Sequence, residues 1–429
     1  MSRRYRFAGT FMQSFSSMGP MLNFAGLYPL IIGASGYYAP FVALLATVAS
    51  LLTVYAPYVL SKRYVTNGGY YSYSGIAFGG RSGKFVAMLY YAYGLLVIPD
   101  IACFIAVMVE GLTANRLIAY IAPLAFSIFV ILLVYGSNRT AVLLITFLGM
   151  AEAVFIFVLD TSMFSSPPAG HALMASSFAG TIFALLAFSG SGSSIFVSED
   201  SEKPGKYVPY SIVSTVLLGG AMMAYSFLAD FRFLGRSLPA YTQDPFYLFS
   251  YLNGTPLHLL AFPFIIFSFT SATMLTVAYG NAMRRAVDSM RTDGVLKQGE
   301  WRLAFPVVPL AVSVLAEYAL TSRFGFYGTF EVLATVVAVC FAEVHIFSNA
   351  ALVKLSRRRA LDAAVALAST SVLLYIIFEN FAGPGLPTAV SIAVFALVNL
   401  TALMFTGTAR RCEFHTLRVA DQAQKDSGA

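Results

Sequence analysis

Apolar residues in this chain of 429 come in blocks of about 20, separated by short polar stretches. That is the length an α-helix needs to cross roughly 30 Å of hydrocarbon. Twelve blocks can be drawn, over 9–33, 39–60, 85–112, 117–136, 140–163, 178–198, 207–229, 257–282, 303–321, 327–353, 360–379 and 387–407. Composition agrees, since 58% of the residues are hydrophobic and 11% charged, where soluble domains carry roughly 25% charge. The pattern predicts an all-α polytopic membrane protein with 12 transmembrane helices.

Charge orients the bundle, because Lys and Arg in short loops stay on the cytoplasmic side. With the N-terminus inside, only Arg116, Arg232, Arg236 and Arg323 of the 27 basic residues fall in outside segments. This predicts a multi-pass protein of the plasma membrane with both termini cytoplasmic. The net charge of +7 follows from that topology and from anionic head groups, so the lipid bilayer is the expected partner and nucleic acid is not. The apolar run after Arg3, Arg4 and Arg6 lasts about 25 residues, too long for a cleaved signal. Cys103, Cys340 and Cys412 are scattered, which argues against a disulfide framework and a zinc site. The aromatic-rich connection from Asp230 to Thr255 reads either as a packed lid or as an interfacial aromatic belt. The polar tail from Arg410 is expected to be mobile.

Two blocks are interrupted. In the sixth, Phe188-Ser-Gly-Ser-Gly-Ser-Ser194 is a polar, flexible break, and such backbone is tolerated at depth only beside protein or a solvated cavity. In the first, Ser16-Ser-Met-Gly-Pro20 places a proline where it removes a donor and clashes with the preceding turn. Each break opens a set of five spans, as a five-plus-five inverted repeat with broken helices 1 and 6 predicts. Residues 1–355 then form a transport core of helices 1–5 and 6–10, residues 356–409 carry helices 11 and 12, and 410–429 are a cytoplasmic tail.

The loop after the second block reads Gly68-Gly-Tyr-Tyr71-Ser-Tyr73-Ser-Gly-Ile-Ala77-Phe78-Gly79, and the sixth block adds Phe188-Ser189-Gly190, Glu199-Asp200, Pro204 and Pro209. Both resemble motifs of the amino acid/polyamine/organocation transporter superfamily, at the same spacings. Arg291-Thr-Asp293-Gly294-Val-Leu296 is similar to a third, with one residue inserted. The resemblance covers roughly residues 7–355 and implies a secondary transporter whose broken helices hold the α-amino and α-carboxyl groups of an amino acid or related amine. Half-helix amides suit a carboxylate and unwound carbonyls suit an ammonium or a coupling ion. The candidate substrate site is thus Ser16, Ser17, Gly19, Pro20 and Asn23 with Phe188, Ser189, Gly190 and Ser191. Where the superfamily has a glycine cluster, this chain has Gly19-Pro-Met-Leu-Asn-Phe24, which leaves the substrate's side chain open.

Acids inside apolar spans are costly and are therefore functional candidates. Asp100 is a candidate for ammonium recognition or proton carriage, and Glu152 for proton coupling. Glu343 and His345 could relay protons or serve structural hydrogen bonds, while Glu317, Glu331 and Glu379 are expected near wetted span ends. Na⁺ coupling would draw on the hydroxyls of span 8, Ser271 and Thr273 among them, whereas H⁺ needs only one carboxyl. H⁺ is favoured, and no other cofactor is expected. An exchanger or a Na⁺ symporter is the alternative, and a channel or a transporter-like nutrient sensor the different class. A hydrolase built on Ser191 or Ser193 with His345 lacks the Gly-x-Ser-x-Gly elbow, so the chain is not read as an enzyme.

Overall fold

A computed structural model describes residues 5–136, 138–244, 246–296, 304–356, 359–383, 385–406, 414 and 417–418. The chain begins with α1 (Phe7–Met18) and α2 (Pro20–Ser35), separated by Gly19 alone. Gly19 sits at φ 59°, ψ 63°. This left-handed conformation ends α1, and Pro20 then opens α2 at the one position where a missing N–H costs nothing. After a 3₁₀ turn at Gly36–Tyr38 come α3 (Ala39–Thr53) and α4 (Tyr55–Ser61), followed by β1 (Tyr64–Val65), α5 (Tyr70–Phe78) and the long α6 (Gly80–Thr113). Helices α7 (Arg116–Gly136) and α8 (Asn138–Ser165) follow.

The sixth apolar block gives no long helix. Only α9 (Thr181–Leu186) is α-helical; turns carry the chain to a 3₁₀ helix at Ser193–Asp200. Beyond it lie α10 (Pro204–Leu234), the short α11 (Leu238–Tyr241) and α12 (Tyr247–Asn253), and α13 (Ala261–Thr292). The last helices are α14 (Ala304–Leu355), α15 (Arg359–Ala382) and α16 (Leu386–Thr406), and β2 (Leu417–Arg418) follows. Among the described residues, nine helical stretches are long and apolar enough to cross a membrane. Two exceed a single crossing: Phe7–Ser61 spans 55 residues and Val314–Leu355 spans 42. The second changes direction at Gly325, whose φ of 70° and ψ of 177° are not helical.

Packing explains why the interrupted segments can exist. Helix α1 lies among α8, α10 and α13, and the 3₁₀ helix of the sixth block also touches α1, α10 and α13. Helices α6 and α14 pack along each other, α15 leans on α3 and α14, and α16 covers α6 and α14. Large apolar side chains such as Phe41 on α3, Phe147 on α8 and Met404 on α16 remain outside. An outer apolar surface is what a bilayer solvates, so the chain is a multi-pass membrane protein in build.

Two connections are more ordered than their composition demands. The stretch from Asp230 to Thr255 is a packed lid: Tyr241 and Leu248 are fully buried, and the Tyr241 hydroxyl donates to the Phe24 carbonyl at 3.2 Å. The expectation of a mobile tail is corrected where the tail is described. β2 pairs antiparallel with β1, and the Phe414 ring occupies the space beside Gly75 and Gly83, where any Cβ would collide with it.

Gly190 has φ +90°, and a Cβ there would strike the Ser17 carbonyl. Gly190→Ala is therefore expected to cost at least about 1–3 kcal/mol, from backbone strain before any clash. A thermal unfolding scan of the purified protein should show a clear drop. The control Gly254→Ala, with its nearest neighbour atom 3.6 Å away, should leave the midpoint unchanged.

Candidate functional site

A helix start leaves amide N–H groups with no intrahelical partner, and inside a membrane each must find another acceptor. At the start of α2 they do so on two distant helices. The Met21 N–H donates to Glu152 Oε1 of α8 at 2.6 Å, and the Leu22 N–H donates to Ser271 Oγ of α13 at 3.1 Å. Ser271 in turn donates its hydroxyl proton to Glu152 Oε1 at 2.6 Å. Pro20 has no N–H, and the Asn23 N–H bonds to the Gly19 carbonyl within the helix at 2.8 Å. Every amide of the first turn is thus accounted for. The carboxylate also faces the positive end of the helix dipole, which favours an anion there. Glu152 itself is 1% exposed.

The two breaks are bonded to each other. The Ser17 and Ser193 hydroxyls lie 2.6 Å apart, and both reach the Gln13 carbonyl, at 2.6 and 2.8 Å. The Ser194 N–H donates to Ser14 Oγ at 3.0 Å. Asn23 crosses the gap at the other end, its amide donating to the Met18 carbonyl at 2.8 Å and the Ala187 carbonyl at 2.9 Å. Gly190 permits this approach, because the backbone of Ser17 lies where a side chain would be. The unwound carbonyls are therefore partly satisfied by side chains from the opposite break.

Of the residues singled out from sequence, the structure brings together Ser17, Gly19, Pro20, Asn23, Gly190, Glu152 and Ser271. Ser16 turns aside, donating to the Ile145 carbonyl of α8 at 3.3 Å. Thr273 lies two residues beyond Ser271, so it points elsewhere on α13 and bonds to its own helix at the Phe269 carbonyl, 2.9 Å away. Ser189 is half-buried at the bend, with its N–H on the Leu186 carbonyl at 2.9 Å. Ser191 is 1% exposed, its hydroxyl without a hydrogen-bond partner among the described residues. Together with Phe188 it borders a cavity of about 300 Å³ reached by α2, α3, α14, α15 and α16. Asp100 is buried on α6, with Oδ1 unpartnered, and stands within electrostatic reach of Tyr279 on α13. Among the described residues, no hydrogen bond or ion pair joins it to Glu152.

Of the remaining acids, Glu317 departs from expectation. Glu343 accepts from Asn399 of α16 at 3.1 Å, while His345 bonds the Phe341 carbonyl at 2.9 Å and packs between the rings of Tyr70 and Phe341. Residues two apart on a helix do not face each other, so the pair forms no relay. Among the described residues, no hydrogen bond joins His345 to Ser191 or Ser193. Glu317 is corrected from a wetted end to a buried position, because α14 continues past it to Gly325 and packs on α7; it accepts from Ser127 of α7 at 2.9 Å. Glu331 and Glu379 border the cavity.

The motif residues converge at one end of the bundle. Asn67 and Glu199 bond reciprocally: the Asn67 N–H donates to Glu199 Oε1 at 2.8 Å, and the Glu199 N–H to Asn67 Oδ1 at 3.0 Å. Tyr71 donates to Asp293 Oδ2 at 2.9 Å. Burial, then the Asp293 carboxylate, push the Tyr71 phenol well above its usual value. At the same end the Tyr5 N–H donates to the Asp200 carbonyl at 2.6 Å and the Glu202 N–H to the Tyr5 carbonyl at 2.9 Å. Arg285 of α13 pairs with Asp200 and reaches Asn281 Oδ1 at 3.4 Å; Asn281 donates to Gln13 Oε1 at 3.3 Å. This polar chain ties the end of the bundle to the breaks. Gln13, Asn281 and Arg285 were not among the sequence candidates. Gln13, a polar residue in an apolar block, is the signal that could have found it.

No protein-family model matches the chain, and no curated protein matches it. Among solved structures the fold is similar to that of a mutant of the Eremococcus coleocola manganese transporter, with a TM-score of 0.62 and 14% identity over 93% of each chain. The likeness is one of fold. The fold is therefore shared along nearly the whole length, while role, substrate and coupling ion are not carried over by it.

The cap on α2 predicts a split between two variants. Glu152→Ala strands two buried donors, at about 1–3 kcal/mol each, and should lower the thermal midpoint markedly. Glu152→Gln keeps a carbonyl oxygen for both donors and should stay close to wild type. Small losses in both variants would mean that the cap contributes little, and equally large ones that a neutral acceptor cannot replace the carboxylate.

Proposed function

We propose that this protein is an alternating-access transporter of an amino acid or related amine, coupled to H⁺. The observation that carries the reading is the Glu152 carboxylate seated on the Met21 amide at the start of α2. An amino acid's α-carboxylate fits the same donors, and its ammonium fits unwound carbonyls beside the breaks. Substrate and ionised Glu152 then compete for one anion seat, and protonation of Glu152 weakens its hold there, so that the substrate's carboxylate displaces it. A proton and a substrate bind together by this route. Among the span 8 hydroxyls, Ser271 is engaged with Glu152 and Leu22, and Thr273 with its own helix, which favours H⁺ over Na⁺. The Eremococcus protein transports manganese. At the start of α2 the acid bonded to the break is Glu152, and no group of three or more His, Cys, Asp or Glu suited to a metal occurs among the described residues. An organic substrate is therefore preferred.

In this reading the chain crosses the plasma membrane twelve times, with Phe7–Ser61 and Val314–Leu355 each contributing two crossings and the unwound sixth block one. Spans 1–5 and 6–10 are the two inverted repeats of an amino acid/polyamine/organocation transporter. The end holding Tyr5, Asp200 and Arg285 is cytoplasmic, and their contacts close that side. Uptake in proteoliposomes tests this directly, using labelled amino acids and polyamines under separate pH and Na⁺ gradients. Accumulation driven by the pH gradient is expected, with Glu152→Gln losing the dependence on that gradient. Failure of every substrate to accumulate under either gradient would overturn the transporter reading; binding without flux would indicate a sensor and equilibration alone a channel.

Arg285→Ala removes the charge partner of Asp200 and should favour opening of the cytoplasmic end. With Ser194→Cys as a reporter in a background lacking Cys412, an impermeant thiol reagent applied from that side should react several-fold faster than in the parent. An unchanged rate would place the barrier elsewhere.

A further inference from the structure

Helices α8 and α10 pack against each other and bury two carboxylates that the site above does not use. Asp160 is 1% exposed and Asp230 is fully buried. Asp160 Oδ2 accepts the Ser226 hydroxyl at 2.6 Å. Asp160 Oδ1 and both oxygens of Asp230 receive no donor among the described residues. The two carboxylates interact electrostatically with one another, and the phenols of Tyr28 and Tyr241 stand within reach of both. No basic side chain pairs with either acid among the described residues. The closest in sequence, Arg232, is exposed and donates to the Ser166 carbonyl at 3.1 Å; Arg236 is exposed as well. Eight residues separate Asp160 from Glu152 on α8, about 12 Å along the axis, so this is a second centre.

Two like charges in a buried interior are expensive, and that cost is relieved by a bound cation or by protons. The surrounding donors are all oxygens: two carboxylates, the Ser226 hydroxyl and the phenols of Tyr28 and Tyr241. Oxygen-only sets of this kind suit hard cations and not soft ones. We infer that Asp160, Asp230 and Ser226 form a binding site for a small hard cation, clamping α8 to α10. Tyr28 belongs to α2, and Tyr241 closes the lid onto the Phe24 carbonyl. Occupancy of this site therefore stabilises the lid side of the bundle. The inference stands apart from the substrate reading, since it concerns different residues and needs no transport.

The test is thermal unfolding of the purified full-length protein in choline chloride, at fixed ionic strength and pH 8, titrated separately with Na⁺, K⁺, Mg²⁺, Ca²⁺ and Mn²⁺. One of these cations should raise the midpoint saturably by several degrees. Asp230→Asn and Asp160→Asn should each abolish the response, and Ser226→Ala should weaken the apparent affinity several-fold. In choline alone Asp230→Asn should be more stable than wild type, because one of two repelling charges is gone. Glu152→Gln should keep the cation response, which separates this site from the cap on α2. If Asp230→Asn fails to fold, Asp160→Asn and Ser226→Ala carry the test. The inference is overturned if no cation raises the wild-type midpoint, if the Asn variants respond as wild type does, or if lowering the pH stabilises the protein with no cation response. The last result would mean that the two carboxyls hold protons instead.

Discussion

The Glu152 carboxylate receives the Met21 amide and the Ser271 hydroxyl at one oxygen. A break in a membrane helix exposes backbone groups that lipid cannot satisfy, so the α1–α2 interruption depends on what α8 and α13 bring to it. Glu152 binds the first turn of α2, Ser271 links that turn to α13, and Asn23 ties the same helix to Ala187 of the opposite break. Helix α1 itself packs among α8, α10 and α13. The cap is held at low exposure, so its strength is set by geometry more than by salt.

The arrangement joins two kinds of interaction that respond to different events. Around the breaks, hydroxyls and amides hold backbone to backbone: Ser17 with Ser193, Ser14 with Ser194, Gln13 with Ala278. At one end, charges hold helix to helix: Arg285 with Asp200, and Arg6 with Glu202 at 3.4 Å. Gln13 and Asn281 lie between the two sets. A change at the anion seat on α2 therefore has a bonded route to the charged end, through side chains with few alternative partners.

Much of the architecture was legible in the sequence, because hydrocarbon thickness dictates block length and because Gly19-Pro20 and Ser189 to Ser194 cannot continue a helix. The depth of unwinding in the sixth block was not legible, since whether Ser193–Asp200 forms α- or 3₁₀ helix depends on the bonds it receives from α1. Glu152 stood out as an acid in an apolar block, yet its partners come from segments more than a hundred residues away on either side. Ser271 and Thr273 look equivalent in sequence, and only the rotation of α13 separates the one that meets Glu152 from the one that does not. Serines 16 and 17 look alike in sequence, yet Ser16 turns to the Ile145 carbonyl of α8 while Ser17 bonds across the breaks to Ser193. Asp160 and Asp230 lie close to block ends, where acids are usually wetted, yet both are buried here. The tail read as mobile from its polarity, whereas Phe414 is held by the absence of side chains at Gly75 and Gly83.

The central claim is that ionised Glu152 and the substrate compete for the same amides. Proton exchange during binding tests it most directly, measured in weakly buffered solution with the amino acid that accumulates most strongly. Wild-type protein is predicted to take up a proton as it binds, and Glu152→Gln to bind with no proton exchange. Binding by the wild type without proton uptake, or an undiminished uptake in Glu152→Gln, would contradict the account.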